Sequence, residues 1–172
     1  MIQTLADLFA KTAHSVTHLE LRDTYGTQSL GYQAWQKGST VEEISTLDSY
    51  FLPWTRLIQE HVARGVTFRR ARVISEPASD YIRYEHAVTP FSNLEGGELV
   101  RWLPRLKARD IAVPACDFWQ FDNNLICWVY QSGDGDPTGH DLDTDPAAVR
   151  LCSSAFEAIW ERAIDHSEYK PA

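Results

Sequence analysis

Residues 64–77 constrain the fold more than any other part of the chain. Gly65 can end a helix in the left-handed conformation, and the alternating apolar and basic side chains of residues 66–72 fit a β-strand. Pro77 then ends the strand, because it cannot donate a backbone hydrogen bond to a sheet. The segment therefore predicts a helix end followed by a central strand. Residues 79–86 would lie at the carboxyl end of that strand, where α/β sheets commonly bind ligands.

The rest of the chain supplies neighbours for this strand. Residues 79–91 predict a helix and residues 99–103 a second strand, with the spacing of a right-handed parallel crossover. Residues 117–130 predict a β-hairpin, because Asn123 and Asn124 tolerate the positive φ of a tight turn. We expect an α/β fold, with α+β as the alternative: a mixed sheet with one parallel crossover and a C-terminal β-hairpin, flanked by helices. A chain of 172 residues is expected to form a single domain, 1–172.

Three further segments carry their own structural signals. The alternation in residues 15–22 predicts an edge strand. Side-chain oxygens in residues 45–48 predict the start of the apolar helix that Gly65 ends, with Pro53 bending that helix or delaying its start. Residues 133–145, rich in Asp and Gly, predict a solvated loop before a long helix over residues 147–164.

Charge and cysteine usage limit the function classes. The formal net charge of −8 argues against direct nucleic-acid binding. Cys116, Cys127 and Cys152 are odd in number and lie in apolar settings, which predicts buried reduced thiols and a cytoplasmic location. No apolar run approaches the roughly 20 residues that span a bilayer, and the first residues do not resemble a signal peptide. We therefore expect a cytoplasmic protein with no membrane association.

A polar cluster follows the central strand and is the main candidate site. A helix in this position would place Arg83 and His86 on one face and Tyr81 and Glu85 on another. A guanidinium beside an imidazole suits a carboxylate or phosphate ligand. We predict a ligand pocket here; the alternative is a structural role, in which Arg83 pairs with a strand carboxylate. The candidate residues are Arg72, Glu76, Tyr81, Arg83, Glu85 and His86.

The first strand of the hairpin adds two candidates. Alternation places Asp117 and Trp119 on the same strand face. An Asp at the mouth of a strand can orient an Arg or a His in a pocket, and it can equally begin a turn. Asp122, which precedes two Asn residues, is interpreted as a turn residue.

Metal and cofactor motifs do not occur in the sequence. The five carboxylates of residues 134–145 lack the spacing of an EF-hand loop, and neither H-E-x-x-H nor C-x-x-C is present. No P-loop, G-x-G-x-x-G or G-x-S-x-G motif occurs. We therefore expect no metal and no cofactor.

Four blocks of sequence together resemble an uncharacterised actinobacterial family. They are S-E-P at residues 75–77, S-D-Y-I-R-Y-E at 79–85, R-W-L-P at 101–104 and D-F-W-Q-F-D at 117–122. Members of that family carry very similar blocks and are commonly encoded beside helix-turn-helix regulators. The resemblance implies a regulatory or accessory role, with such a regulator protein as a partner, and it assigns no catalytic residue.

The order of the elements is also similar to one half of a phospholipase D-like fold, which some regulators use as a sensor domain. Enzymes of that superfamily carry an H-x-K-x-x-x-x-D motif on the first strand of the hairpin. Here residues 117–122 occupy the corresponding place and contain neither His nor Lys. The resemblance therefore implies the fold without phosphodiester cleavage by that route.

These observations leave three hypotheses. The leading one is a non-enzymatic protein that binds a small anionic ligand or a regulator protein through the strand-end pocket. The alternative is a small enzyme of specialised metabolism, in which Arg83 holds an anionic substrate and His86, Glu85 or Asp117 is the acid or base. The third is a homodimer whose Trp-rich surface serves only assembly.

Overall fold

A seven-stranded mixed sheet forms the frame of the molecule. The computed structural model describes residues 2–47 and 51–172. The strands are β1 (Ser15–Glu20), β2 (Thr67–Ile74), β3 (Leu99–Pro104), β4 (Asp117–Phe121), β5 (Leu125–Gln131), β6 (Pro137–Asp143) and β7 (Ile164–Asp165). The helices are α1 (Ile2–Lys11), α2 (Leu30–Gln36), α3 (Val41–Leu47), α4 (Phe51–Ala63), α5 (Asp80–Ser92) and α6 (Pro146–Arg162), with short 3-10 turns at Leu94–Gly96 and Arg105–Ala108.

The strand order is β6-β5-β4-β1-β2-β3-β7. β2 is parallel to both β1 and β3, and every other neighbouring pair is antiparallel. The prediction from sequence is confirmed for the α/β class, for β2 as an inner strand and for the C-terminal hairpin of β4 and β5. The expected crossover from β2 through α5 to β3 is present, and a second parallel crossover joins β1 to β2.

The prediction of an edge strand at residues 15–22 was wrong. β1 lies between β2 and β4, and five of its six residues are buried. The alternation of apolar and polar residues was correct, but the polar residues do not face solvent. They face charged residues of β2, which explains how a strand with His18 and Glu20 can occupy the middle of a sheet.

Two other local predictions need correction. The segment 133–145 was expected to be a loop, but residues 137–143 form β6, an edge strand paired with β5. Residues 45–47 were expected to begin a helix, but they end α3, and Asp48 lies outside the described residues. α4 begins at Phe51 with Pro53 in its first turn, as expected for a late start.

The hairpin turn shows how its residues fix the local backbone. Asp122 and Asn123 have φ of 45° and 55°, so the left-handed pair begins one residue earlier than the Asn pair suggested. The Asp122 carboxylate accepts hydrogen bonds from the amides of Ala13, His14 and Ser15 at 2.8–2.9 Å. Asp122 is therefore structural, since it ties the hairpin to the start of β1.

The two faces of the sheet are covered differently. α6 begins with Asp145 as its N-cap and Pro146 in its first turn, and it packs Cys152, Phe156 and Ile159 on one face. α1 and α4 pack on the other face, over an aromatic cluster around Phe9. Cys127 and Cys152 are buried free thiols as expected, whereas Cys116 is partly exposed. Within residues 2–47 and 51–172, no helix is long and apolar enough to cross a membrane.

Candidate functional site

A cavity of about 630 Å³ lies between the α4 face of the sheet and helix α5. Strands β1, β2, β4 and β5 form its floor, and the segment after β1 borders its mouth. Its charged and polar lining includes His18, Glu20, Arg70, Arg72, Glu85, Asn93, Asp117 and Gln131, and its aromatic lining consists of Tyr25, Phe51, Trp54, Tyr81, Tyr84 and Trp119.

Glu20 lies at the centre of the charged floor. Parallel pairing sets it beside Arg72, and its carboxylate accepts from Arg72 Nε at 2.5 Å and from Arg70 Nη1. His18 Nε2 lies 3.2 Å from the same carboxylate. Burial alone would raise the pKa of Glu20, but Arg72, Arg70 and His18 hold that pKa well below its ordinary value. Glu20 is therefore ionised and shared by three basic groups.

Arg70 and Arg72 also form contacts with residues other than Glu20. Arg70 Nε donates to Glu98 Oε1 at 2.8 Å, and Asn93 Nδ2 donates to Glu98 Oε2 at 2.5 Å. Arg72 Nη1 donates to the hydroxyl of Thr89 at 2.7 Å, and Arg72 Nη2 lies 3.3 Å from Glu85 Oε1. Each guanidinium thus bridges two carboxylates, and its orientation is fixed before any ligand arrives.

Glu85 is the least satisfied carboxylate of the cavity. It is 9% exposed, and its Oε2 atom has no hydrogen-bond partner within the described residues. Burial raises the pKa of the Glu85 carboxyl to about 7 against the opposing effect of Arg72, and the charges of Glu20 and Asp117 act in the same direction as burial. Glu85 therefore changes its charge near neutral pH, whereas the carboxylate of Glu20 stays ionised.

Asp117 closes the β4 side of the cavity. Its carboxylate accepts from the Leu21 amide at 2.8 Å and from Gln131 Nε2 at 3.2 Å. The Tyr25 hydroxyl accepts from the Arg22 amide at 3.0 Å, and burial together with the nearby charge of Asp117 raises the pKa of Tyr25. Burial raises the pKa of Asp117. Asp117 lines the cavity as predicted, but it is the first residue of β4 and does not begin a turn. The hydrogen bonds of its carboxylate hold the segment after β1 and Gln131, which were not the partners expected from sequence.

Aromatic rings line the cavity on both the sheet side and the α5 side. The rings of Trp119 and His18 stack, with centroids 3.9 Å apart and an interplanar angle of 5°. The Cζ atom of Arg70 lies 5.1 Å from the centroid of the Trp119 ring. His18 Nδ1 lies 2.8 Å from the Phe118 carbonyl oxygen, so both ring nitrogens of His18 face oxygen atoms. Tyr81 and Tyr84 approach from α5, with ring centroids 5.8 Å apart.

The mouth of the cavity is fixed by a contact between two loops. The Gly26 amide donates to the Gly135 carbonyl at 3.2 Å, and Arg22 Nη2 donates to the Gly133 carbonyl at 2.8 Å. Gly135 has φ of 88°, and a Cβ atom there would lie 2.6 Å from the Thr24 carbonyl oxygen. Only glycine therefore allows the β5–β6 loop to approach the segment after β1 this closely.

Five of the eight residues predicted for the site line the cavity: Arg72, Tyr81, Glu85, Asp117 and Trp119. The periodicity of α5 explains why Tyr81 and Glu85 are among these five. Residues 81, 84, 85 and 88 of α5 share the cavity face, as the 3.6-residue period requires.

The structure separates the other three predicted residues, Glu76, Arg83 and His86, from the cavity. Glu76 accepts from the Tyr169 hydroxyl at 3.0 Å, and Arg83 Nη2 donates to the Ala172 carbonyl at 3.0 Å. The His86 ring stacks on His166 with centroids 4.3 Å apart. The expected single cluster is therefore two clusters, on opposite faces of α5.

Sequence reasoning missed four important residues, namely His18, Glu20, Arg70 and Glu98. The signal for the first three was present in β1 and β2: His18 and Glu20 alternate with apolar residues in β1, and Arg70 is one of the basic residues of β2. Glu98 directly precedes β3. Parallel pairing in register places these alternating charges opposite one another. The sequence of one strand cannot show this, because it does not reveal which strand lies beside it.

Metal binding has no geometric support in the described part of the chain, where no group of three or more His, Cys, Asp or Glu side chains is placed to hold an ion.

Comparison with solved structures identifies the fold. The structure is similar to Nuc, a phospholipase D family member from Salmonella typhimurium, with a TM-score of 0.51, 9% identity, and coverage of 95% of this chain and 89% of that chain. The likeness to a phospholipase D-like fold predicted from sequence is thereby confirmed at the level of the fold.

A second similar structure is TrmBL2, an archaeal chromatin protein, with a TM-score of 0.48, 12% identity, and coverage of 94% of this chain and 48% of that chain. No curated protein matches the sequence. A family model does match, over residues 3–171, and the chain belongs to that family, the domain of unknown function DUF6879.

Proposed function

We propose that this protein is a non-enzymatic, cytoplasmic small-molecule-binding domain that serves as an accessory to a transcription regulator. The ligand occupies the cavity between the sheet and α5. The observation that carries the proposal is the buried charge cluster at the cavity floor. Burying several ionised groups is costly, and stability alone is served as well by apolar side chains. Such clusters beside a concave aromatic pocket are typical of ligand sites.

Binding is favoured over catalysis by the way the polar groups are used. The imidazole of His18 has acceptors at both nitrogens, and Glu20 is shared by two arginines. A general base needs a free lone pair near the reacting proton. The enzyme hypothesis also placed its substrate at Arg83 and its base at His86, and both contact the C-terminal segment instead.

One observation favours an enzyme as the second candidate. Glu85 lines the cavity with a pKa of about 7, the range in which a carboxyl can donate and accept protons at neutral pH. In that case Glu85 is the acid or base, and substrate turnover must accompany binding. Mass spectrometry of each bound compound after prolonged incubation separates the two candidates.

The regulatory part of the proposal rests on the family resemblance and on the net charge of −8. That charge suits contact with a basic protein better than contact with nucleic acid. Calorimetric titration with a helix-turn-helix regulator of the kind that the family resemblance implies, with and without a cavity ligand, tests this part. A regulator affinity that is measurable and changes with ligand supports it, and the absence of any heat of binding contradicts it.

Thermal-shift screening tests the ligand-binding part. The library contains amines, carboxylates, nucleosides and polyols, and bound compounds are expected to raise the Tm of the wild-type protein. Val88→Phe fills the cavity, since Val88 lines it and is buried. Leu30→Trp narrows the mouth at an exposed position, and Leu106→Trp is the matched control on a leucine outside the cavity.

The expected result is a ligand-induced shift that both cavity variants reduce and Leu106→Trp retains. Unfolding of each variant without ligand shows whether Val88→Phe is folded, and Leu30→Trp keeps the test valid if it is not. The proposal is wrong if no compound shifts the Tm, or if the shift is the same in Leu30→Trp and wild type.

A further inference from the structure

We infer that the ligand of the cavity carries a positively charged nitrogen group, such as a primary ammonium or an amidinium, and that this group pairs with Glu85 while an apolar body contacts the aromatic wall. This inference rests on the proposed function, and it names the ligand class. It differs from the anionic ligand that the sequence suggested, which was based on Arg83.

The first argument is the balance of charges at the cavity floor. Three basic groups, His18, Arg70 and Arg72, contact carboxylates. An anionic ligand would have to compete for these donors with the carboxylates that already hold them. Four carboxyl side chains, Glu20, Glu85, Glu98 and Asp117, lie in this cluster. A ligand that brings a positive charge therefore adds a partner for a carboxylate and does not compete for a donor.

The second argument identifies the carboxylate that lacks a partner. Glu20 accepts from both arginines, Glu98 accepts from Arg70 and Asn93, and Asp117 accepts from the Leu21 amide and Gln131. Glu85 alone among the four has an oxygen, Oε2, with no hydrogen-bond partner in the described part of the chain. A buried unpaired acceptor is costly, and a ligand N–H group removes that cost.

The third argument concerns the walls near Glu85. Tyr81 precedes Glu85 by one helical turn, and Tyr84 precedes it directly; both line the cavity together with Trp119 and Tyr25. Aromatic faces attract cations, and this attraction is stronger away from water. Phe51 and Trp54 of α4 extend the aromatic surface further, which suits an apolar or aromatic ligand body.

Binding of a cation should be linked to the proton on Glu85. The charged and titratable groups around this residue are Glu20 and His18 of β1, Arg70 and Arg72 of β2, Asp117 of β4, and Tyr25 and Tyr81. The ionised carboxylate attracts the cation and the protonated form does not. Because burial raises the pKa of Glu85 to about 7, amine affinity should rise about ten-fold between about pH 6 and pH 8.

Matched probes test the ligand class directly. The amines are 2-phenylethylamine and tryptamine, the neutral analogues are 2-phenylethanol and tryptophol, and the anionic analogues are 3-phenylpropionate and indole-3-propionate. Binding to the full chain is measured by NMR titration and calorimetry. We expect each amine to bind at least about ten-fold more tightly than its alcohol, and each carboxylate to bind more weakly than the alcohol.

Two variants locate the charge. Glu85→Gln keeps the shape of the side chain and removes its charge, so it should weaken amine binding about ten-fold or more and abolish the pH dependence, while leaving alcohol binding unchanged. Glu76→Gln is the matched control, because Glu76 lies outside the cavity and bonds to Tyr169. It should bind amines as the wild type does.

The outcomes separate the inference from the proposed function. The inference is overturned if the amines bind no better than the alcohols, if none of the amines binds, or if Glu85→Gln binds amines as tightly as wild type. Tighter binding of the carboxylates also overturns it and retains the cavity as a site for anions. The proposed function fails separately, only when the wider library and the cavity variants show no binding in the cavity.

Discussion

The two faces of the sheet bury different kinds of side chain. Toward α6, the strands contribute Leu19, Ala71, Val73, Phe118 and Ile126, and all are buried against an apolar helix face. Toward α5, the alternate residues of the same strands include His18, Glu20, Arg70, Arg72 and Asp117, and these are nearly as deeply buried. Neighbouring residues in one strand thus serve two environments.

This difference indicates which face determines stability and which serves the site. The apolar face gains free energy from each buried side chain without needing an exact partner. The charged face is stable only while its pairs are complete, because an unpaired buried charge is costly. We therefore expect the charged face to be intolerant of single changes and sensitive to pH, and the apolar face to be insensitive to pH.

The largest expected effect is at Glu20. Replacing Glu20 by Ala removes the carboxylate that Arg70 and Arg72 share, and leaves both guanidinium groups buried without it. The free energy of unfolding should fall by about 3–5 kcal/mol, the usual cost of breaking a buried ion pair from one side. Urea denaturation measures this loss, and a loss below about 1 kcal/mol would show that the cluster is not a buried ion network.

A void created by mutation on the α6 face of the sheet should lower the free energy of unfolding somewhat less than Glu20→Ala does. Ile159 is fully buried against the α6 face of the sheet, and Ile159→Ala should lower the free energy of unfolding by about 3 kcal/mol. Because no charge is involved, the loss should be equal at about pH 6 and pH 8. Denaturation at the two pH values checks this, and a loss that varied with pH would mean that the two faces are coupled.

Glu85 should give the charged face its pH dependence. Its folded pKa of about 7 lies above the ordinary value of 4.5, so the folded protein holds a proton that the unfolded chain has lost between these values. The resulting stabilisation is complete below the ordinary value and is lost as the pH rises through about 7. Between about pH 6 and pH 8, wild-type stability should fall by about 1 kcal/mol relative to Glu85→Gln.

Paired denaturation curves at the two pH values measure this difference. Glu76→Gln serves as the control, since Glu76 bonds to Tyr169 outside the cavity. Parallel pH profiles for wild type and Glu85→Gln would contradict the assignment of the titrating group.

The contrast between the faces also explains what the sequence could predict. β2 and the β4–β5 hairpin follow from local signals: a glycine that can end a helix, a proline that ends a strand, and a turn with two Asn residues. Five of the predicted residues line the cavity because they lie on α5 or on strands that were predicted correctly. These signals depend only on neighbours along the chain.

The charged face could not be predicted in the same way. β1 was assigned to an edge because His18 and Glu20 alternate with apolar residues, which is also the pattern of a strand with one solvated face. The identity of its neighbour decides between the two, and β1 pairs with a strand about 50 residues away. Likewise, the choice between the two faces of α5 depends on the C-terminal segment, which occupies the face of Arg83 and His86.

The smallest expected effect is at an ion pair that lies on the α6 side but remains open to solvent. Arg69 and Glu157 form two hydrogen bonds, at 2.6 and 3.0 Å, and their side chains are 23% and 52% exposed. Water already solvates both groups, so Glu157→Gln should lower the free energy of unfolding by less than about 1 kcal/mol, and added salt should reduce that loss further. Arg69 also keeps its position over the rings of Phe156 and Trp160 in the variant. Denaturation at low and high salt measures the effect, and a loss equal to that of Glu20→Ala would mean that burial does not distinguish the two ion pairs.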